Sequence, residues 1–297
     1  MMIAGMRLKL SKLLGEAVGE DPAEPYPQLA FSARVERLLR DHGCQHRSET
    51  VDTESGFQGW VLRYALRMLE ITYRRLEQPG PTPPPELLAR FQEVLPGPPE
   101  EFTEFFQGRI DAASSCRRAV EVQRLLGGQG PVLCLGDDDG TSVALALLGV
   151  EKVAVLDIDV RVLEWLRASG LPIELERGDV REMPASHRSR FAAVVTDPVR
   201  DGPAGAAFLR AAGRCLRRGG WLFWADHPDW NPGYPVLERW THRLHLEPIR
   251  VLKDWHAYRA AYLDDSTAEH FGLDPDWLRR LAADVRIWSH LHVLKKA

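Results

Sequence analysis

Short unbroken apolar runs recur through the latter part of the chain, and aspartates follow several of them. Val132, Leu133, Cys134 and Leu135 suit a strand buried on both faces; Gly136 turns the chain, and Val143, Leu145, Ala146, Leu147 and Leu148 carry a helix. Strand, glycine turn and helix open a doubly wound Rossmann-like α/β sheet, whose ligands bind beyond the strand ends. Val153 to Leu156 predict a second strand with Asp157 and Asp159 at its end, and VRVLEWLRASG a helix closed by Gly170. IELERGDV predicts a short third strand followed by Asp179, FAAVVTDP a fourth ending at Asp197 and Pro198, and WLFWAD a fifth reaching Asp226. GPAGAAFLRAAGRCLRRGG reads as a helix ending in a glycine pair, PVLERWTHRLHL as another helix, and IRVLKDW and RIWSHLHVLKK as strands.

Earlier in the chain the spacing is helical. Phe31, Val35, Leu38 and Leu39 share one face, as do Trp60, Leu62, Ala65, Leu66, Leu69 and Tyr73. The proline-rich stretch from Pro79 to Phe102, with a short helix inside it, reads as a stiff connector. The expected domains are therefore 1–100, helical with a proline-rich linker, and 101–297, Rossmann-like. Ser114 and Ser115 can start a helix that packs beside the cleft and delivers Gln107 or Asp111 to it.

The first turn carries the candidate chemistry. Nucleotide sites place glycines there, because backbone N–H groups at a helix start attract anions. This chain instead places Asp137, Asp138 and Asp139 directly after Gly136. Such a turn repels a phosphate-rich ligand and suits a cation. Asp also caps helices, but one cap needs one Asp. Asp157 is placed to grip ribose hydroxyls, Asp159 to wall the cleft or cap a helix, and Asp179 to accept from an adenine amine. Asp197 stands where a substrate amine would lie, and Asp226, Asp229, Trp230 and Tyr234 form an aromatic and acidic group suited to a cation. Together these acids imply a cleft for a nucleoside joined to something positive, beside a second positive substrate.

Net charge is −4 over 297 residues, which gives nucleic-acid binding no support as the main role. No apolar segment approaches a membrane span, and the amphipathic start lacks the core of a signal peptide, so a cytoplasmic protein is expected. Cys44, Cys116, Cys134 and Cys215 lie too far apart for a zinc or disulfide framework. His42, Cys44 and His46 match no zinc spacing, and His290 and His292 read as structural, so no metal is expected.

LGDDDG, VAVLDID with RVLEWL after it, and the TDP strand end resemble the branched-chain polyamine synthases, over about Gln107 to Tyr258. The resemblance implies a sheet like that of S-adenosylmethionine methyltransferases behind an amino-terminal domain, in a homodimer. It implies aminopropyl transfer from decarboxylated S-adenosylmethionine, a co-substrate and not a resident cofactor, to a spermidine-like amine. Methylthioadenosine is the by-product. It places Asp138 and Asp139 near the reacting amine, Asp157 at the nucleoside and Asp197 at the acceptor, with Asp138 or Asp139 taking the proton. The family reads TDPP and an aromatic where this chain reads TDPVR over 196–200, and an inward arginine would repel a polyamine, so the acceptor stays open. A methyltransferase and a noncatalytic polyamine or nucleoside sensor are the alternatives.

Overall fold

The computed structural model describes residues 80–101, 105, 107–127, 130–198, 202–226, 236–259 and 286–297. Apart from 259, 286 and 287 they fall in one compact unit, Pro79–Tyr258 with Trp288–Ala297. The helices expected before residue 79, His42, Cys44 and His46, and the candidates Asp229, Trp230 and Tyr234 lie outside the described residues, as do Val199 and Arg200.

The order of elements is α1 (Pro85–Val94), α2 (Ala112–Leu126), β1 (Val132–Leu135), α3 (Thr141–Leu147), β2 (Val153–Asp157), α4 (Val160–Ala168), β3 (Ile173–Arg177), β4 (Phe191–Thr196), α5 (Gly202–Cys215), β5 (Leu216–Asp226), α6 (Val236–Trp240), β6 (Leu246–Arg259) and β7 (Arg286–Lys296). The strands form one sheet in the order β3-β2-β1-β4-β5-β7-β6, with β1 to β5 parallel and β7 antiparallel to β5. This is the doubly wound α/β sheet expected from the strand runs. Order reverses between β1 and β4, and a ligand cleft opens at such a switch.

The apolar runs work because a strand sends successive side chains to opposite faces. Val132 and Cys134 of β1, Val153 and Val155 of β2 and Ala193 and Val195 of β4 enter one core with α1 to α4. Leu133 and Leu135, Ala154 and Leu156, and Val194 enter the other with α5 and α6. β3, at the sheet edge, keeps polar residues among its apolar ones.

Two stretches differ from expectation. The proline-flanked helix α1 does not bridge two bodies as a free connector. Pro84 and Pro85 fix its first turn, and Leu87, Phe91 and Leu95 pack into the core with α2 and α3. Each such side chain contributes about 1.5–3 kcal/mol. The glycine pair after α5 does not close that helix, which ends at Cys215. Leu216 already pairs with Phe191, the register then shifts, and Gly219 at φ +73° lets β5 absorb the irregularity. Among the described residues no helix is long and apolar enough to cross a membrane.

Candidate active site

Leu135 is level with Leu156 on one side and Thr196 on the other, so the turn after β1 sits between the ends of β2 and β4. Gly136 N–H donates to Leu156 O at 3.0 Å and Asp137 N–H to Asp157 Oδ2 at 2.9 Å. The other Asp157 oxygen accepts from Asp159 N–H at 2.8 Å. Burial raises the Asp157 pKa, and these backbone donors restrain the rise. Asp157 thus clasps the first turn to the second and stands at the cleft floor.

The three turn acids separate into different roles. Asp137, expected at the donor, is 1% exposed, and its oxygens accept from Ser142 N–H at 3.1 and 3.3 Å, so its carboxylate serves the start of α3. Asp139, expected near the reacting amine, is buried on Arg118. Its Oδ1 accepts from Thr141 N–H at 3.0 Å and Thr141 Oγ1 at 2.7 Å, and its Oδ2 accepts from Arg118. Asp138 faces differently. Among the described residues its Oδ2 is buried without a hydrogen-bond partner, while its backbone carbonyl accepts from Arg109 Nε at 2.8 Å. Burial first, then Asp139, Asp197 and Asp157, push its pKa well above the carboxylate range, against a smaller pull from Arg109.

Arg118 escaped the sequence reading. It lies 2% exposed beneath the turn, paired with Asp139, bonded to Thr141 Oγ1 and 3.7 Å from Asp197 Oδ2. Burial pulls its pKa down, but Asp139 and Asp197 more than offset this and keep it charged. Tyr258 also went unread: its hydroxyl donates to Asp197 Oδ2 at 2.6 Å. The tip of β6 that carries it is fastened to the start of α2. Asp111 N–H donates to Ala257 O at 2.8 Å, and Ala257 N–H to Ser114 Oγ at 2.9 Å. Ser114 and Ser115 therefore do not start α2. Asp111 caps it through Ser114 N–H at 2.7 Å, while Ser115 Oγ holds Asp139 O at 2.9 Å.

The remaining acids are engaged locally. Asp159 caps α4, pairs with Arg161 and accepts from Gln107 Nε2 at 2.9 Å, which together, led by Arg161, hold its pKa down at about 2. Gln107 thus reaches the end of β2. Asp179 caps a short 3-10 turn through Arg181 N–H, and Arg181 pairs with it. Asp226 accepts from Trp224 Nε1 at 3.4 Å and sits opposite His290 across β5 and β7. His290 in turn accepts from Asp254 N–H at 3.1 Å, a partner the sequence did not indicate. Among the described residues no group of His, Cys, Asp and Glu could hold a metal ion.

Residues 86–220 match the family model "Branched-chain polyamine synthase A C-terminal domain". An N(4)-bis(aminopropyl)spermidine synthase of Thermus thermophilus is 40% identical over 114 residues, 36% of this chain and 33% of that protein. One of Thermococcus kodakarensis is 32% identical over 136 residues, 42% of this chain and 38% of that protein. The aligned stretches span little more than a third of these relatives' length. In fold, the chain is similar to the Thermus thermophilus branched-chain polyamine synthase solved with N4-aminopropylspermidine and 5′-methylthioadenosine. The TM-score is 0.63 at 20% identity, covering 97% of this chain and 86% of that one. Over residues 86–220, then, the chain is similar to the carboxy-terminal domain of the branched-chain polyamine synthases.

Proposed function

We propose that the protein is an aminopropyltransferase that moves the aminopropyl group of decarboxylated S-adenosylmethionine to a spermidine-like amine. The buried, unpartnered Oδ2 of Asp138 carries this reading. A carboxylate with raised proton affinity, among Asp139, Asp157 and Asp197, suits taking a proton from an amine. The acceptor nitrogen attacks the donor carbon beside sulfur, and the carbon–sulfur bond breaks. Its electron pair goes to sulfur, turning the sulfonium into neutral methylthioadenosine, and the nitrogen's proton goes to Asp138. Asp197 holds a second ammonium and places the nucleophile in line. Asp157 takes the ribose, Asp179 the adenine amine, Gly136 leaves the backbone open, and Asp226 extends the acidic wall, with Asp229, Trp230 and Tyr234 following it in sequence. Asp137, Asp139 and Asp159 act through the loops that they brace. Acids in the first turn attract a donor that has lost its carboxylate and repel one that keeps it. Support comes from the relatives named for bis(aminopropyl)spermidine synthesis and from the N4-aminopropylspermidine and 5′-methylthioadenosine bound in the Thermus structure. A homodimer and a cytoplasmic setting belong to the same proposal; Cys116, Cys134 and Cys215 are buried free thiols, which suits a reducing compartment.

One observation favours a second reading, methyl transfer. Arg109 Nη2 is buried without a hydrogen-bond partner near Asp138, where it could receive the carboxylate of intact S-adenosylmethionine. Incubation with each donor and a panel of amines, read by mass spectrometry, separates the two. Aminopropyl gain with the decarboxylated donor alone is the expected result; methyl gain overturns it.

A further inference from the structure

A line of hydrogen bonds leads from Asp197 into the interior, away from the acids already assigned. Tyr258 Oη is 2.6 Å from Asp197 Oδ2 and 2.9 Å from Ser289 Oγ, and Ser289 Oγ is 2.8 Å from His256 Nδ1. Tyr258, Ser289 and His256 are 2%, 0% and 0% exposed. Donor and acceptor capacity fixes the direction. An ionised carboxylate only accepts, so Tyr258 donates to Asp197. With its single proton committed, Tyr258 Oη accepts from Ser289, whose oxygen then accepts from His256 Nδ1–H. That tautomer leaves His256 Nε2 bare, and Nε2 is buried without a hydrogen-bond partner. Burial holds the His256 pKa well below its ordinary value, and Arg118, Arg117, His290 and His292 add in the same direction, so the ring is neutral.

Every donor in this line points toward Asp197, so the line cannot carry a proton away from Asp197 without reversing each bond. Around Asp197 stand Arg118 from α2 at 3.7 Å, Asp138 from the first turn and Tyr258 from β6. Two carboxylates in one cleft are thus treated in opposite ways. Asp197 is given a hydroxyl donor and a cation 3.7 Å away; among the described residues Asp138 Oδ2 is given no hydrogen-bond donor, and the pull of Arg109 is outweighed by burial and three carboxylates. Environments that separate paired acids in this way divide binding from proton transfer.

Resting on the aminopropyltransferase reading, we propose that Tyr258, Ser289 and His256 are positioning residues that hold Asp197 as a fixed anion for an ammonium group of the acceptor, leaving proton removal to Asp138.

The test uses the full chain, 13C-labelled at aspartate, with the Asp197 carboxyl signal assigned by Asp197→Asn and titrated by NMR without substrate. Tyr258→Phe removes one donated bond, so the Asp197 midpoint rises by about one pH unit, a tenfold gain in proton affinity. The acid limb of kcat/KM for the amine moves up by the same amount, and KM rises more than kcat falls. Ser289→Ala, which withdraws the donor behind Tyr258, gives a smaller shift of the same sign and carries the titration if Tyr258→Phe does not fold. A packing role alone would lower the melting temperature and leave the midpoint in place; an unmoved midpoint in the variants overturns the proposal. A wild-type chain that transfers no aminopropyl group would sink the functional reading, while the substrate-free titration would still decide the role of the three residues.

Discussion

Replacing Arg118 by Met should destabilise the protein more than almost any other single change in the cleft. The guanidinium is 2% exposed, its partner Asp139 has a side chain 3% exposed, and Asp197 Oδ2 lies 3.7 Å away. Methionine fills much of the volume but supplies no charge, so Asp139 keeps only the two bonds from Thr141 on its Oδ1. Breaking a buried ion pair from one side costs about 3–5 kcal/mol, because the remaining charge is stranded out of water. A whole domain is stable by only about 5–15 kcal/mol. Urea unfolding followed by fluorescence and circular dichroism should therefore show the midpoint falling by about a fifth or more with an unchanged slope. Arg118→Met with Asp139→Asn should recover part of the loss, since no anion is then left alone. A loss under about 1 kcal/mol in the single variant, the scale of an exposed pair, would refute the reasoning.

Two further variants test the first turn. Gly140 sits at φ +71°, and an added Cβ would lie 2.5 Å from Leu95 Cδ2. Gly140→Ala combines a left-handed backbone cost of about 1–2 kcal/mol with overpacking of about 1–3 kcal/mol, read as a lower urea midpoint. Asp138→Asn should abolish aminopropyl transfer while the fold survives, and full activity would end the assignment of the base. The same variant changes the pH dependence of stability. The folded pKa of Asp138 is raised above its ordinary 3.8, so its stabilising proton is fully present below that value and lost as pH rises through the folded pKa. Melting temperature should therefore be higher in Asp138→Asn than in wild type at alkaline pH, with the gap closing toward pH about 4.

The sheet was legible because each central strand is an unbroken apolar run, and burial on both faces leaves that run little alternative. The acids were legible as positions but not as roles. A strand that feeds a helix needs a cap at the same place where a ligand binds, and aspartate serves either need. Asp139, Asp157, Asp159 and Asp179 each accept from the N–H two residues on. In Asp159 with Arg161 and Asp179 with Arg181, the residue two on is also the cation, a local D-x-R signal that could have been read as local pairing. Arg118, Tyr258, Ser289 and His256 carried no such sign. Arg118 lies 21 positions from Asp139, and Tyr258 lies 61 from Asp197, so only the closed fold makes them neighbours. The glycine pair at 219 and 220 misled because a helix stop and a strand bulge demand the same backbone freedom.

The packing of α1 on the turn after β1 bears on where the chain can be cut. Leu95 and Phe91 close over Gly140, and Trp165 Nε1 donates to Pro96 O at 2.6 Å, so the binding turn and the segment before the sheet form one surface. Arg117 extends the join by donating to Pro81 O. A chain cut just ahead of β1, where the sheet begins, would keep a cleft whose first wall had been left behind. A fragment that keeps this site intact should therefore start near residue 80, ahead of the proline-rich stretch that covers the aspartate turn.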